Sequence, residues 1–228
     1  MSRLVSIHPA VVSGLIIGVL LGGVTVTEAA GGVAVSGNTT TITGTGEATR
    51  EIELATGVYT VTWSTSAELM SVSLNDSAGE AITVFGLGGP KGAELFAIDG
   101  EAVKPGKMKL EVESTAAWTV TIVKTVAAGA VALPQTLTGP ALGTVISKAF
   151  KADAGTLKVA YTYKSEPKGT GSLRMYDAAT GKNVAVDAVM YAGNAAGELE
   201  VRVPAAGVYV ASTTFPLGSG GGDVRLKQ

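Results

Sequence analysis

Cysteine is absent from the 228-residue chain, histidine occurs once, and aromatic residues make up only 5% of the sequence. Without cysteine the chain has no disulfide framework, no thiolate metal site and no cysteine nucleophile. The single histidine is His8, so a Ser-His-Asp triad, a histidine base and a histidine-ligated metal are excluded from the rest of the chain. We therefore predict a non-enzymatic protein with no catalytic residue, no metal site and no cofactor.

Charge is sparse as well. Charged residues form 16% of the chain, whereas an ordinary soluble domain carries about 25%. The net charge of -2 lacks the basic excess of a protein that neutralises many phosphates, so we expect no nucleic-acid partner. The hydrophobic content of 46% excludes a disordered polyampholyte.

A long apolar run opens the chain. Residues 10–26 hold no charge, and Arg3 precedes them. This pattern is typical of a signal peptide, for which residues 27–29 supply a cleavage site, or of a retained anchor helix. Both alternatives place the rest of the chain outside the cell, because the basic end stays in the cytoplasm. We predict a signal peptide or N-terminal membrane anchor helix over residues 1–32, with membrane contact if it is uncleaved, and an extracellular or cell-surface location.

Beyond Gly32 the hydrophobic pattern changes to period two. Tyr59, Val61 and Trp63 alternate with polar residues, as in a half-buried strand. No long amphipathic helix is visible after residue 32. Further short β-prone runs follow at a spacing of about 8–12 residues, which is typical of a sandwich or barrel. They are residues 69–74, 81–85, 94–98, 108–112 and 118–123.

The second half of the chain repeats the first. The segment that begins at Gly57 matches the one that begins at Gly155, and residues 69–79 match residues 173–181. Pro105 matches Pro204 near the end of each repeat. A duplication with small loop insertions leaves such a pattern, although strand-turn-strand segments also resemble one another without common origin.

These patterns predict an all-β fold: two tandem antiparallel β-sandwich domains, jelly-roll or Ig-like, after an N-terminal hydrophobic helix. The first domain is expected over residues 33–124 and the second over 144–228. Residues 125–143 hold no charge, and their prolines and glycines prevent a stable helix. Because a linker in water is usually more polar, we expect this segment to be packed between the domains.

The first half also resembles a known kind of module. The stretch 57–65, the turn 75–79 and the segments 103–112 and 118–122 are similar to the jelly-roll accessory modules of secreted microbial proteins, of the pre-peptidase C-terminal kind. This resemblance implies extracellular β-sandwich modules that bind, space or assemble. It carries over no catalytic residue, and the acidic positions that some such modules use for calcium are not recognisable.

Two pairs of carboxylates have the spacing of neighbours on one strand face. Glu51 with Glu53, and Glu111 with Glu113, are two residues apart, and glycoside hydrolysis needs two carboxylates about 5–10 Å apart. The favoured interpretation is a solvated strand face, because alternation places the residues between them inside.

Two N-glycosylation sequons begin at Asn38 and Asn75, and both fall where loops are expected. They are the candidate glycosylation sites of the chain.

Most aromatic residues are expected in the core. Trp63, Trp118, Tyr59 and Tyr209 lie on alternating strands, and so few aromatics leave little for an exposed carbohydrate platform. The expected exceptions are three tyrosines that we predict to be exposed: Tyr161, Tyr163 and Tyr191.

The two halves differ in charge. Residues 33–124 hold six basic and eleven acidic side chains, a net of -5, and residues 125–228 hold ten and seven, a net of +3. Opposite charges at two ends favour head-to-tail self-association. The uncharged residues 33–35 and 39–43 are predicted to be extended, either as an arm for a neighbour or as the first strand of their own domain.

From these observations we expect an exported, non-enzymatic structural subunit of a cell surface, extracellular filament or virion. The alternative is a secreted or tethered pair of accessory or carbohydrate-binding β-sandwich modules.

Overall fold

A computed structural model describes residues 31–85, 89–141, 143–165, 169–190, 196–216 and 218–228. Every helix or strand in these residues is a β-strand, so the all-β prediction is confirmed. No helix in these ranges is long and apolar enough to span a membrane. The predicted leader up to residue 30, with His8, and Tyr191 lie outside the described residues.

Nine strands build the first sandwich. They are β1 (Gly32–Ser36), β2 (Thr39–Thr45), β3 (Ala48–Leu54), β4 (Gly57–Thr65), β5 (Met70–Asn75), β6 (Ala81–Phe85), β7 (Lys91–Ile98), β8 (Gly106–Ser114) and β9 (Ala117–Lys124). Sheet A has the order β1-β2-β9-β4-β7, and sheet B has the order β3-β8-β5-β6. All strand pairs in both sheets are antiparallel.

Nine further strands build the second sandwich. They are β10 (Gln135–Gly139), β11 (Thr144–Ile146), β12 (Phe150–Ala152), β13 (Gly155–Tyr163), β14 (Gly171–Asp177), β15 (Asn183–Met190), β16 (Ala196–Val203), β17 (Gly207–Thr214) and β18 (Gly222–Lys227). Sheet C has the order β11-β17-β14-β15, and β12 also pairs with β17. Sheet D has the order β10-β18-β13-β16.

The two sandwiches share one topology. With β1 set aside and β11 and β12 counted as one interrupted strand, each sandwich has eight strands in the orders 1-8-3-6 and 2-7-4-5. This is the strand order of a jelly roll. The sequence repeat has the same correspondence, because it matches β4 with β13, β5 with β14 and β8 with β17.

A ring packed over a glycine recurs at equivalent positions. Trp63 on β4 lies opposite Gly92 on β7, and Tyr161 on β13 lies opposite Gly197 on β16. A methyl group on either glycine would collide with the ring, so the missing side chain makes room for it. Since residue 161 is the counterpart of residue 63 in the sequence repeat, packing and topology repeat together.

Each sandwich has its own buried core. Inward side chains from sheets A and B form the first cluster, and those from sheets C and D form the second. Alternation along the strands produces this division, since every second residue of a strand points to the same face.

The range 125–143, which we expect to be a packed linker, contributes to the second sandwich. Gln135–Gly139 is β10 and pairs with β18 at the edge of sheet D. Val131 and Leu133 pack against the second core, and the Val131 amide donates to the Ala149 carbonyl at 2.9 Å. Alternating threonines and an inward Leu137 make this uncharged stretch a strand.

The contact between the sandwiches is made by strand faces. Val58 on β4 and Leu95 on β7 form a buried apolar cluster with Val210 on β17. Ala97, Ile146 and Tyr176 pack around this cluster. It joins the outer face of sheet A to the outer face of sheet C.

Polar contacts surround this apolar cluster. Glu94 Oε1 lies 3.7 Å from Arg174 Nη1, and Glu101 Oε1 lies 2.9 Å from Lys182 Nζ. Both pairs join an acid of the first sandwich to a base of the second. The opposite net charges of the two halves therefore form contacts within one chain. They are not by themselves evidence of head-to-tail self-association.

A tight turn of the second sandwich also docks on the first. Asp177 Oδ1 accepts hydrogen bonds from the amides of Ala179 and Thr180, which fixes the turn after β14. Gly181 ends this turn with a φ of +70°. A Cβ atom built there would lie 2.5 Å from the Ile98 carbonyl oxygen of the first sandwich. The glycine thus permits a close approach of the two sandwiches.

We expect Gly181→Ala to lower the free energy of unfolding by about 2 kcal/mol or more, because strain and a collision combine. The control is Gly79→Ala in the equivalent turn of the first sandwich, where φ is +91° and no atom lies within 4 Å of the added methyl. That control should cost about 1 kcal/mol. Urea denaturation of both variants measures the difference, and equal losses would contradict the docking of this turn.

The carboxylate of Glu94 should make stability depend on pH. Burial raises the pKa of Glu94 above its usual value, and the nearby Arg174 opposes this shift only in part. A raised pKa in the folded state means that stability falls as pH rises through that pKa. The free energy of unfolding of Glu94→Gln, relative to that of the parent chain, should therefore increase as the pH rises from about 4 to neutrality. Urea denaturation over this pH range measures the difference. A relative loss over that range would mean that the ion pair outweighs burial.

Candidate functional site

The outer face of sheet A is rich in threonine. Because Val61 and Trp63 of β4 point into the core, alternation directs Thr60, Thr62 and Ser64 outward. The same rule directs alternate residues of β2 and β9 to this side. We call the following set the threonine face: Thr41 and Thr43 on β2, Thr119 and Thr121 on β9, and Thr60, Thr62 and Ser64 on β4.

Strand register aligns these side chains in rows. Thr121 lies opposite Thr41 on one side and opposite Thr62 on the other. In the next row, Thr119 lies between Thr43 and Ser64. Strand geometry spaces such side chains about 4.8 Å apart across the sheet and about 6.6 Å apart along a strand. The result is a regular lattice of hydroxyl and methyl groups.

The hydroxyls of this lattice are open to a ligand. Thr43, Thr62 and Ser64 are exposed, and the other four side chains are half-buried. Within the part of the chain that the structure describes, none of the seven hydroxyls has a hydrogen-bond partner. Each one can both donate and accept a hydrogen bond.

The outward positions of β1, β2, β9 and β4 on this face carry no charge. The equivalent face of the second sandwich, on sheet D, is charged. There Lys158 of β13 takes the place of Thr60, and β18 presents Asp223, Arg225 and Lys227. Two faces with one topology therefore differ in character: on the first, charge is confined to Lys91 on edge strand β7, which lies opposite Ser64 at the end of one row.

The threonine face adjoins the contact between the sandwiches. Thr60 shares the outward side of β4 with Val58, which the second sandwich covers. The face is thus held from behind by the first core and at one end by the docked sandwich. A surface supported in this way loses little entropy when a ligand binds.

The carboxylates considered as catalytic candidates lie on a solvated face. Ile52 and Val112 are buried as predicted, so Glu51, Glu53, Glu111 and Glu113 point outward from sheet B. Lys107 Nζ donates to Glu51 Oε1 at 2.6 Å, and this bond raises the pKa of Lys107. In the described ranges, no group of three His, Cys, Asp or Glu side chains is arranged to hold a metal ion.

The two sequons differ in accessibility. Asn38 lies exposed in the turn between β1 and β2. Asn75 is the last residue of β5, and its side chain is only 7% exposed. Its burial differs from the expectation of an open loop, whereas glycosylation itself stays a prediction for both Asn38 and Asn75.

The aromatic predictions are confirmed in part. Tyr59, Trp63, Trp118 and Tyr209 are buried in the cores as predicted. The expectation of exposed tyrosines is wrong at two positions, because Tyr161 and Tyr163 point into the second core together with Leu157 and Val159. Burial raises the pKa of Tyr163 to about 12.

Sequence reasoning did not find the threonine face. Its signal is a threonine at every second position in three strands, as in Thr119-Val120-Thr121 and Thr60-Val61-Thr62. Each stretch alone reads as an ordinary amphipathic strand. Only the order β2-β9-β4, which is not the order along the chain, brings the three stretches together.

Comparisons with known proteins give distant structural similarities. No protein-family model matches the chain, and no curated protein matches it. The resemblance to pre-peptidase C-terminal modules is therefore not supported.

Three solved structures illustrate the level of similarity. The tandem CBM51 modules of a family 98 glycoside hydrolase from Streptococcus pneumoniae are 7% identical with a TM-score of 0.29, covering 82% of this chain and 84% of that one. The M60 catalytic domain with two CBM51 domains of Clostridium perfringens ZmpB is 7% identical with a TM-score of 0.29, and the match covers 82% of this chain and 34% of that chain. A structure of the Sulfolobus Turreted Icosahedral Virus is 11% identical with a TM-score of 0.23, and the match covers 81% of this chain and 56% of that chain. Nothing about the ligand of this chain follows from values this low.

Proposed function

We propose that this chain is an exported, non-catalytic accessory protein that binds neutral polysaccharide through the threonine face. The observation that supports the proposal is the contrast between two equivalent sheet faces. The face on sheet D is charged as solvated surfaces are, whereas strands β2, β9 and β4 of sheet A present rows of uncharged hydroxyls, with Lys91 of β7 at the end of one row. The apolar leader supports export of the chain.

The chemistry of the face fits a neutral, hydroxyl-rich polymer. Threonine hydroxyls match sugar hydroxyls as donors and acceptors, and threonine methyl groups can pack against the C–H faces of sugar rings. An uncharged ligand does not require the removal of ions from water when it binds. The stiff χ1 angle of threonine on a strand also limits the entropy lost on binding.

The burial of aromatic residues restricts the mode of binding. Trp63, Trp118 and the buried tyrosines are committed to the two cores, so the site does not depend on ring stacking. Affinity must come from many weak contacts along a polymer. We therefore expect binding to an extended or solid polysaccharide and little binding to single sugars.

The proposal predicts that a charge in the middle of the threonine face weakens binding. Thr62→Lys and Thr121→Lys should each weaken binding to insoluble neutral polysaccharides, such as cellulose and chitin, at least about tenfold, because an ammonium group would be desolvated in the contact. The measurement is the fraction of the full chain that sediments with the solid.

The matched control is Thr49→Lys, which places the same charge at an exposed position on the outer face of sheet B. It should bind like the parent chain. Thr62→Val keeps the shape of the side chain and removes its hydroxyl, so it measures how much of the binding depends on the hydroxyl. Equal binding by all four variants, or binding of the parent chain to neither solid, would refute the proposed site.

A second candidate function is that of a structural subunit of a cell surface, filament or virion. It is favoured by the uncharged edge of sheet A, where β1 follows directly on the predicted leader. Sedimentation of the native full chain separates the two candidates, because an assembling subunit forms large species without polysaccharide and a binding module does not.

A further inference from the structure

Strand β1 is an open sheet edge. It pairs with β2 on one side, and no described strand pairs with it on the other. All five of its residues are exposed. The backbone groups on its free side can therefore accept another strand.

This edge lacks the usual protection against pairing. Edge strand β3 carries Glu51 and Glu53, and edge strand β16 carries Glu198, Glu200 and Arg202. Such charges discourage pairing between edges, whereas β1 has neither charge nor proline. Nothing in its composition opposes the approach of a second copy.

The sequence of β1 is nearly palindromic: Gly-Val-Ala-Val-Ser. When two copies run antiparallel about Ala34, Val33 of each copy lies opposite Val35 of the other, and small residues lie opposite small residues. Edge strand β6, Ala81–Phe85, is also uncharged, but its sequence Ala-Ile-Thr-Val-Phe has no such symmetry. Self-pairing of β1 therefore places matched side chains on both faces.

The two valines of β1 lie over a groove that is largely apolar. Val33 is 44% exposed and Val35 is 70% exposed. They line a groove of about 760 Å³ between β1 and β3, together with Ile52 and Leu54 and with the carboxylates of Glu51 and Glu53 on β3. The valines of a second copy, arriving through strand pairing, would extend this apolar surface and shield it from water.

We propose that β1 pairs antiparallel with β1 of a second copy, which forms a twofold dimer with Ala34 next to the axis. Sheet A then becomes one ten-stranded sheet across the dimer. Paired residues of neighbouring strands point to the same side, so the two threonine faces point in one direction. The pairing depends on β1 alone and not on the proposed polysaccharide.

The absence of cysteine allows a register-specific test. In the full chain, Ala34→Cys introduces the only thiol, and in the proposed pair two such thiols face each other within the Cα distance of about 4.4–6.8 Å that a disulfide requires. The control is Ser36→Cys on the same exposed strand. There the two thiols lie four residues apart along the strands, about 13 Å, which is too far for a disulfide.

Mild oxidation followed by non-reducing electrophoresis gives the result. We expect a covalent dimer with Ala34→Cys, at least about tenfold less with Ser36→Cys, and loss of the dimer when Val35→Lys is added to Ala34→Cys, because an edge lysine opposes strand pairing. Equal cross-linking of the two thiols would indicate random collision and would overturn the proposal. Absence of cross-linking in both variants would overturn it as well.

Discussion

Every strand of this chain has two faces, and a sandwich core takes up only one of them. The inward faces of sheets A and B form one core, and those of sheets C and D form the other. The surfaces available for contacts are therefore the four outer faces. Sheets B and D are solvated by charged side chains. Sheet C is docked in part against sheet A through Val58, Leu95 and Val210. On the remaining part of sheet A, strands β2, β9 and β4 are neither charged nor docked, and there the threonine lattice lies open beside Lys91 of β7. The proposed binding surface is thus the outer area that neither charge nor docking accounts for.

The docking of the sandwiches gives a reason for their difference in charge. Two modules of one topology in contact need complementary charges where they touch, because like charges on facing surfaces repel. Here the acidic Glu94 and Glu101 meet the basic Arg174 and Lys182. The tight turn ending in Gly181 contacts the other sandwich, whereas the equivalent turn ending in Gly79 is open to solvent. The same structural unit therefore serves as a contact in one repeat and as a free loop in the other.

Much of the architecture could be predicted from local patterns. Period-two alternation located the strands of the first sandwich, with Ala81–Phe85 matched in full, and the repeat anticipated the shared topology. Alternation does not say which face is inside, and this is why Tyr161 and Tyr163 were misassigned, although Leu157 and Val159 on the same face pointed to the core. β10 was missed because its alternation of threonines around Leu137 covers only five residues, within a range whose prolines and glycines favour a linker. The threonine face could not be predicted, because it depends on the pairing of strands that are far apart in sequence.

The two tryptophans of the chain, Trp63 and Trp118, are both buried in the first sandwich, and the second sandwich has none. Trp118 Nε1 donates to the Gly46 carbonyl at 2.8 Å, so its indole is held by its own sandwich alone. Intrinsic indole fluorescence is therefore a local reporter of one half of a near-symmetrical molecule. A substitution in the second sandwich can change this fluorescence only through the contact between the two sandwiches. The fluorescence therefore measures the coupling of the two sandwiches without an added label.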